Sequence, residues 1–207
     1  QSAQRLVSLS VSEGLVKVRL DHPIGRCMDL GARLKARFAL DLVDVVPSDP
    51  TSDSTTLGVA EAGAAEIERW LTRPEPLTMA IGTGRTLKAA IEQLQPMECP
   101  QHKVVSLTGN IAPDGSAAFY NVIFNVADLV KARSFPMPLP VIASSADERT
   151  MLHQQPMIRA TVSLAAEANV TFVGIGDLGP KAPLLLDNFI SEKEHDMLQK
   201  AGAVGEI

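Results

Sequence analysis

Three glycine-bearing stretches carry the residue types that bind anions: Gly82-Thr83-Gly84-Arg85-Thr86, Thr108-Gly109-Asn110 and Gly174-Ile175-Gly176-Asp177. A phosphate needs several donors at short range. Glycines let the backbone come close and leave amide N–H groups pointing outward. Thr83 and Thr86 add hydroxyl donors, and Arg85 adds a forked cation. The first stretch is not a P-loop, because it lacks the lysine and the spacing of GxxxxGK[ST]. Nor is it the dinucleotide GxGxxG, because Leu87 stands where the third glycine would be. A single phosphate on a small molecule fits it better than a nucleotide, and a tight connection without a ligand fits it as well. Asp177 can accept hydrogen bonds from sugar hydroxyls, act as a base, or cap a helix. Asn110 can bind hydroxyls or simply turn the chain.

The elements around these stretches place them. An apolar run, "PLTMAI", ends at Gly82, and "RTLKAAIEQL" follows with helical period. A helix starting near Arg85 would add the partial positive charge of its N-terminus. "KVVSLTGN" reads as a second strand, "MPLPVIA" as a third between prolines, and "VTFVGIGDLGP" as a buried fourth. Helical patterns fall between them: "LGVAEAGAAEIERWLTR", "NVIFNVADLVKAR", and "ADERTMLHQQPMIRATVSLAAEA", broken at Pro156. "CMDLGARLKARFAL" predicts a further helix, "DLVDVVP" a short strand and "SDPTSDSTT" an exposed loop. In "SEKEHDMLQKAG", Ser191 and Glu194 have capping-box spacing. Alternating strands and helices predict an α/β fold with a largely parallel sheet covered on both faces. Ligands of such sheets bind beyond the carboxyl ends of the strands, where the three glycine turns would converge into a pocket.

Composition narrows the function. The chain has 207 residues, 45% hydrophobic and 21% charged, with one Trp and one Tyr. That suits a soluble globular domain and leaves no aromatic surface for stacking bases. The net charge of −5 argues against nucleic-acid binding by the chain as a whole. Residues 1–40 carry +4, however, which leaves −9 for the remainder, a basic front on an acidic body. Cys27 and Cys99 form no CxxC pair and read as free thiols in a reducing cytoplasm. No metal ligand spacing links His22, His102, His153 and His195; His153 and His195 read as surface residues. Asp187, Glu192, Glu194 and Asp196 read as solvated charges near a helix start. No local signature pairs a nucleophile with a base, so no catalytic residue is assigned and neither a cofactor nor a metal is called for. No segment is long and apolar enough to span a membrane.

Six stretches in this order, "AQRLVSLSVSEGLVKVRLDHP", "AIGTGRTLKAAI", "VVSLTGN", "FPMPLPVIAS", "ANVTFVGIGDLGP" and "AGAVGEI", span nearly the whole chain. Together they resemble the SorC/DeoR-type sugar-binding regulators of bacteria. The resemblance implies a Rossmann-like effector domain similar to sugar-phosphate isomerases and deaminases. It implies a cytoplasmic transcriptional regulator, a homodimer or homotetramer, whose operator affinity is set by a phosphorylated sugar. The effector would be held by Gly82, Thr83, Gly84, Arg85, Thr86, Thr108, Gly109, Asn110 and Asp177. Residues 1–22 would be the remnant of a winged helix-turn-helix and its linker, with Gln4 and Arg5 at the DNA, and residues 23–207 the effector domain. Two departures stand out: the chain starts inside the DNA-binding unit, and it stops where family members continue with further pocket residues, often including a lysine. The alternative is a sugar-phosphate isomerase or deaminase on the same scaffold, for which Asp177 is the candidate base.

Overall fold

The computed structural model describes residues 23–48, 56–112, 114–118, 120 and 122–207, together with Arg5. The remnant of a DNA-reading unit expected over residues 1–22, Gln4 included, lies outside the described residues, as does most of the loop expected after residue 47. Arg5 is exposed. By contacts the chain divides into two compact units, Gln1–Asp53 and Ser54–Ile207.

In the first unit, helix α1 spans Pro23–Phe38. The strand expected over "DLVDVVP" does not form. The segment lies along α1 instead, with the Val43 carbonyl and the Val45 side chain against Gly31. Without a ladder partner among the described residues, its apolar alternation is satisfied by a helix.

The second unit holds α2 (Leu57–Leu71), β1 (Thr78–Ile81), α3 (Arg85–Gln93), β2 (Lys103–Ile111), α4 (Val122–Val130) and β3 (Arg133–Pro140). They are followed by α5 (Ala146–His153), α6 (Pro156–Ala166), β4 (Val170–Phe172), β5 (Gly176–Asp177), α7 (Pro183–Leu186), α8 (Glu192–Lys200) and β6 (Gly205–Glu206). Strands β1 to β4 form one parallel sheet in the order β3-β2-β1-β4. β5 and β6 form a separate antiparallel pair. The expected α/β class with a parallel sheet is what the chain adopts.

The core explains the order. Met79, Ala80 and Ile81 of β1 are all buried, as a central parallel strand requires. Leu87, Ala90 and Ile91 of α3 and Val122, Ile123, Val126 and Val130 of α4 form apolar stripes at helical spacing. They pack with Ile67 and Leu71 of α2 against Met79, Ile81 and Val104. Each Val, Leu, Ile or Met buried in full contributes about 1.5–3 kcal/mol. On the opposite face α6 covers the sheet, with Ile158 against Met137 and Leu139 of β3. The break before Pro156 separates α5 from α6 as the sequence predicts.

β3 begins earlier than the proline-flanked stretch suggested, at Arg133. Its odd-numbered residues face β2: Met137 is paired with Gly109, and the Val141 N–H donates to the Ile111 carbonyl. Pro136 and Pro138 therefore turn outward, where no rung is lost, while Pro140 is the partner of Ile111 beyond a register shift.

The stretch "VTFVGIGDLGP" is not a buried strand. Only Val170–Phe172 joins the sheet, at its edge, and Ile175 is 84% exposed. The edge position leaves one side without a neighbour. Beyond Phe172 the chain departs from the sheet, and Gly176-Asp177 pairs with Gly205-Glu206.

Candidate functional site

The order β3-β2-β1-β4 reverses direction between β1 and β4, and crevices at such reversals are where open parallel sheets hold ligands. The turns after β1 and β4 lie side by side. The Gly82 N–H donates to the Phe172 carbonyl at 2.9 Å, and a Cβ on Gly174 would sit 3.7 Å from the Thr83 carbonyl oxygen.

On the other flank of β1 a narrow cleft opens between the ends of β1 and β2. Gly82 and Thr83 line it from β1, and Ser106, Thr108, Gly109 and Asn110 from β2. Ala118, Tyr120 and Ile123 close it from the start of α4. Burial along β2 explains the position: Val104 to Ser106 are buried, and the strand becomes half-buried from Leu107 onward, where it enters the cleft. The Ser106 hydroxyl donates to the Thr108 carbonyl at 2.8 Å and the Thr83 hydroxyl to the Tyr120 carbonyl at 2.9 Å. Thr83 thus ties the β1 turn to the segment before α4.

The α3 N-terminus sits at this edge. Its cap is Gly84, at φ 118° and ψ 169°, with no side-chain cap hydrogen bond. That conformation is open only to glycine. The first N–H groups of a helix have no intrahelical acceptor, so at α3 they are donors that an anion can satisfy. α4 follows β2 and begins at the same edge, so its N-terminal dipole adds to the positive field. Thr86 stands in the first turn of α3, half-buried.

Arg85, the first residue of α3, is engaged. Its Nε–H donates to the Tyr120 phenol oxygen at 2.7 Å and its Nη2 to Asp187 Oδ1 at 2.8 Å. The Tyr120 hydroxyl donates to Asp187 Oδ2 at 3.1 Å. The Tyr120 bond first, and then the Asp187 carboxylate, hold the guanidinium more firmly protonated than usual. The Arg85 side chain is still 51% exposed and that of Asp187 only 15%. Asp187 is therefore not the solvated charge its neighbourhood of acids suggested.

The structure brings Gly82, Thr83, Thr108, Gly109 and Asn110 into one cleft and sets Gly84, Arg85 and Thr86 on the adjoining helix start. Asp177 is placed elsewhere. It is exposed in the β5–β6 pair and outside the residues lining the cleft, with its carboxylate against Gly179. Gly109 has a packing reason to be glycine: a Cβ there would meet the Pro140 and Leu139 carbonyl oxygens at 2.4 and 2.5 Å.

Sequence reasoning missed Tyr120 and Asp187. Tyr120 was legible as the one tyrosine in the chain, just ahead of an apolar helix; Asp187 carries no local signal. His195 is also not a surface residue. It is buried, with Nε2 3.0 Å from the Leu178 carbonyl oxygen, joined there by the Gln199 amide at 2.7 Å. His102 is buried too, accepting from the Leu77 N–H at Nδ1 and sitting 3.0 Å from the Leu71 carbonyl at Nε2. Among the described residues no group of three or more His, Cys, Asp or Glu could hold a metal ion. No described helix is long and apolar enough to cross a membrane.

A family model described as "Putative sugar-binding domain" matches residues 22–207. The erythritol catabolism regulatory protein EryD of Brucella abortus is 29% identical over 205 residues, which cover 99% of this chain and 65% of that protein. The transcriptional regulator LsrR of an Enterobacter species is 30% identical over 208 residues, covering 98% and 61%. The chain thus spans less than two thirds of the length of these relatives. Among solved structures, the full-length sorbitol operon regulator SorC of Klebsiella pneumoniae superposes with a TM-score of 0.77 at 22% identity, over 100% of this chain and 68% of that one. A DeoR family regulator of Listeria monocytogenes does so with a TM-score of 0.76 at 16% identity, over 87% and 71%.

Proposed function

Because the chain belongs to the sugar-binding domain family whose model covers residues 22–207, we propose that it is the effector-sensing part of a transcriptional regulator and that its effector is a phosphorylated sugar. The observation that carries this reading is the α3 N-terminus: a helix start capped by Gly84 with no side-chain cap, beside a cleft lined by hydroxyl and amide groups. The phosphate would sit on the amides of Gly84, Arg85 and Thr86. The sugar would extend toward Thr108, Gly109 and Asn110. The effector acts by binding one conformation of the regulator better than another. Residues 1–22 would belong to the DNA-reading unit, with Gln4 and Arg5 at the operator, and residues 23–207 to the effector domain. A homodimer or homotetramer in the cytoplasm would match the two-fold symmetry of operators.

The enzymatic alternative needs a base beside the reacting carbon. Among the described residues lining the cleft there is no histidine, aspartate or glutamate, and the sensing reading is preferred.

The test is thermal melting with a tetritol, a pentose and a hexose phosphate. EryD is named for erythritol catabolism, which makes a tetritol phosphate the first to try. A ligand at a hundred times its Kd stabilises by about 2.7 kcal/mol. For a chain of this size that raises Tm by roughly 5–10 °C. No shift with any phosphorylated sugar refutes the proposal. Arg85→Ala with Thr86→Ala is expected to weaken binding at least tenfold by calorimetry; unchanged affinity removes this loop from the site.

A further inference from the structure

The contact between Arg85 and Asp187 joins two parts of the chain 102 residues apart. Arg85 is the first residue of α3, at the helix start where the phosphate is proposed to sit. Asp187 ends α7, a helix of four residues with no buried side chain, and Asn188 follows at φ 57°. The segment from Pro183 to Ile190 is anchored ahead by Ala182, which is fully buried, and carries local backbone hydrogen bonds at Leu186, Asp187, Asn188 and Phe189. Its side-chain bonds to the site run through Asp187, which accepts from Arg85 and from Tyr120. A four-residue helix whose side chains are half-buried or exposed opens at lower cost than a fully buried element, so these two bonds matter to where it rests.

A carboxylate and a phosphate want the same thing from a guanidinium: its planar fork of donors. We propose that Asp187 is an internal competitor for the effector phosphate, holding Arg85 and the α7 segment until the phosphate takes its place on the guanidinium. The inference rests on the phosphate reading of the α3 N-terminus. It adds that Asp187 sets the affinity threshold and that the phosphate moves a defined segment. A dianion at the helix start would gain the cation it lies beside, and the released carboxylate would turn outward away from like charge. Binding at α3 would thereby reach α7, and beyond it the chain leading to α8.

Asp187→Asn tests this, since it keeps the shape and removes the charge. Asp196→Asn, an exposed acid on α8, is the control that changes net charge equally. Each is titrated with inorganic phosphate and with a tetritol phosphate, and folding is checked by the melt of the Trp70 fluorescence. Asp187→Asn is expected to bind about tenfold more tightly than the parent, the size of one lost competing charge pair, and Asp196→Asn like the parent. Amide hydrogen exchange supplies a second readout. In the parent, ligand should speed exchange at Leu186 to Phe189, and in Asp187→Asn these amides should exchange fast without ligand. Unchanged or weaker binding by Asp187→Asn overturns the proposal and leaves the phosphate site standing, and so does slow exchange in the unliganded variant. If the parent binds neither phosphate nor the sugar phosphate, the phosphate reading and this inference fall together. Should Asp187→Asn not fold, Asp187→Ala and Asp187→Ser are held to the same outcomes.

Discussion

Replacing Gly84 by alanine separates backbone strain from every other effect. A Cβ on Gly84 would have no neighbour within 4 Å, so no clash contributes. The whole cost comes from φ 118° and ψ 169°, a region that side chains make inaccessible, at about 1–3 kcal/mol. For a chain of this size each kcal/mol lowers Tm by roughly 2–4 °C, so the variant should melt about 2–12 °C below the parent. Gly63→Ala provides the opposite sign with the same change of atoms. Gly63 lies inside α2, where a Cβ would touch the Ala90 Cβ at 3.4 Å. Removing a helix-interior glycine should stabilise by roughly 0.5–1 kcal/mol. Trp70 is the chain's one tryptophan and lies partly buried against the core of the second unit. Its fluorescence therefore reports that unit alone. A Gly84→Ala melt indistinguishable from the parent would refute the argument, because the turn would then not need the conformation it shows. Should the chain instead relax out of that conformation, the first amides of α3 would lose their common aim. Phosphate protection would then vanish with little loss of Tm, which the same melts would reveal.

Two further predictions concern the sheet and the closing segment. Gly109→Ala forces β2 from the β3 backbone, since the Pro140 and Leu139 carbonyls cannot swing away as a side chain would. The expected loss is about 3 kcal/mol, at the upper end for overpacking, read as a lower urea midpoint at unchanged m-value. Glu206 lies partly buried over Gly176, and burial pushes its carboxyl pKa up. The folded state then holds the proton more readily than the unfolded chain, so stability falls as pH rises from the ordinary carboxylate range through the raised value. Glu206→Gln should remove that fall, and parent and variant with the same slope would show that the site is not buried in solution.

The parallel sheet and its helices were legible because burial on both faces writes continuous apolar runs, as at Met79 to Ile81, and single stripes, as at Val122 to Val130. The β1 turn was legible for a different reason: a glycine at a helix start without a side-chain cap leaves a local mark. The edge misled. Val173 and Ile175 look like core and are exposed, because apolar composition does not say whether a neighbour lies beside the strand. Asp187 and His195 were illegible for a related reason. Each has its role through a partner distant in the chain, and a single sequence carries no record of which residues meet. Ser191 with Glu194 shows the contrast, since both halves of its capping box lie within one turn and the spacing alone identified it.

The alternating prolines of β3 have a consequence for assembly. An edge strand is a template only if it offers alternating donors and acceptors, and at Pro136 and Pro138 the outward donors are gone. That edge is protected against both aggregation and docking. Among the described strands, β4 is therefore the edge better suited to an added strand, from the same chain or another. A parallel strand there would end next to the turn after β4, with β4 and β1 between it and the effector cleft. Among the described residues, the prolines thus direct strand addition to the side of β1 opposite the cleft, where a new strand would leave the ligand's walls untouched.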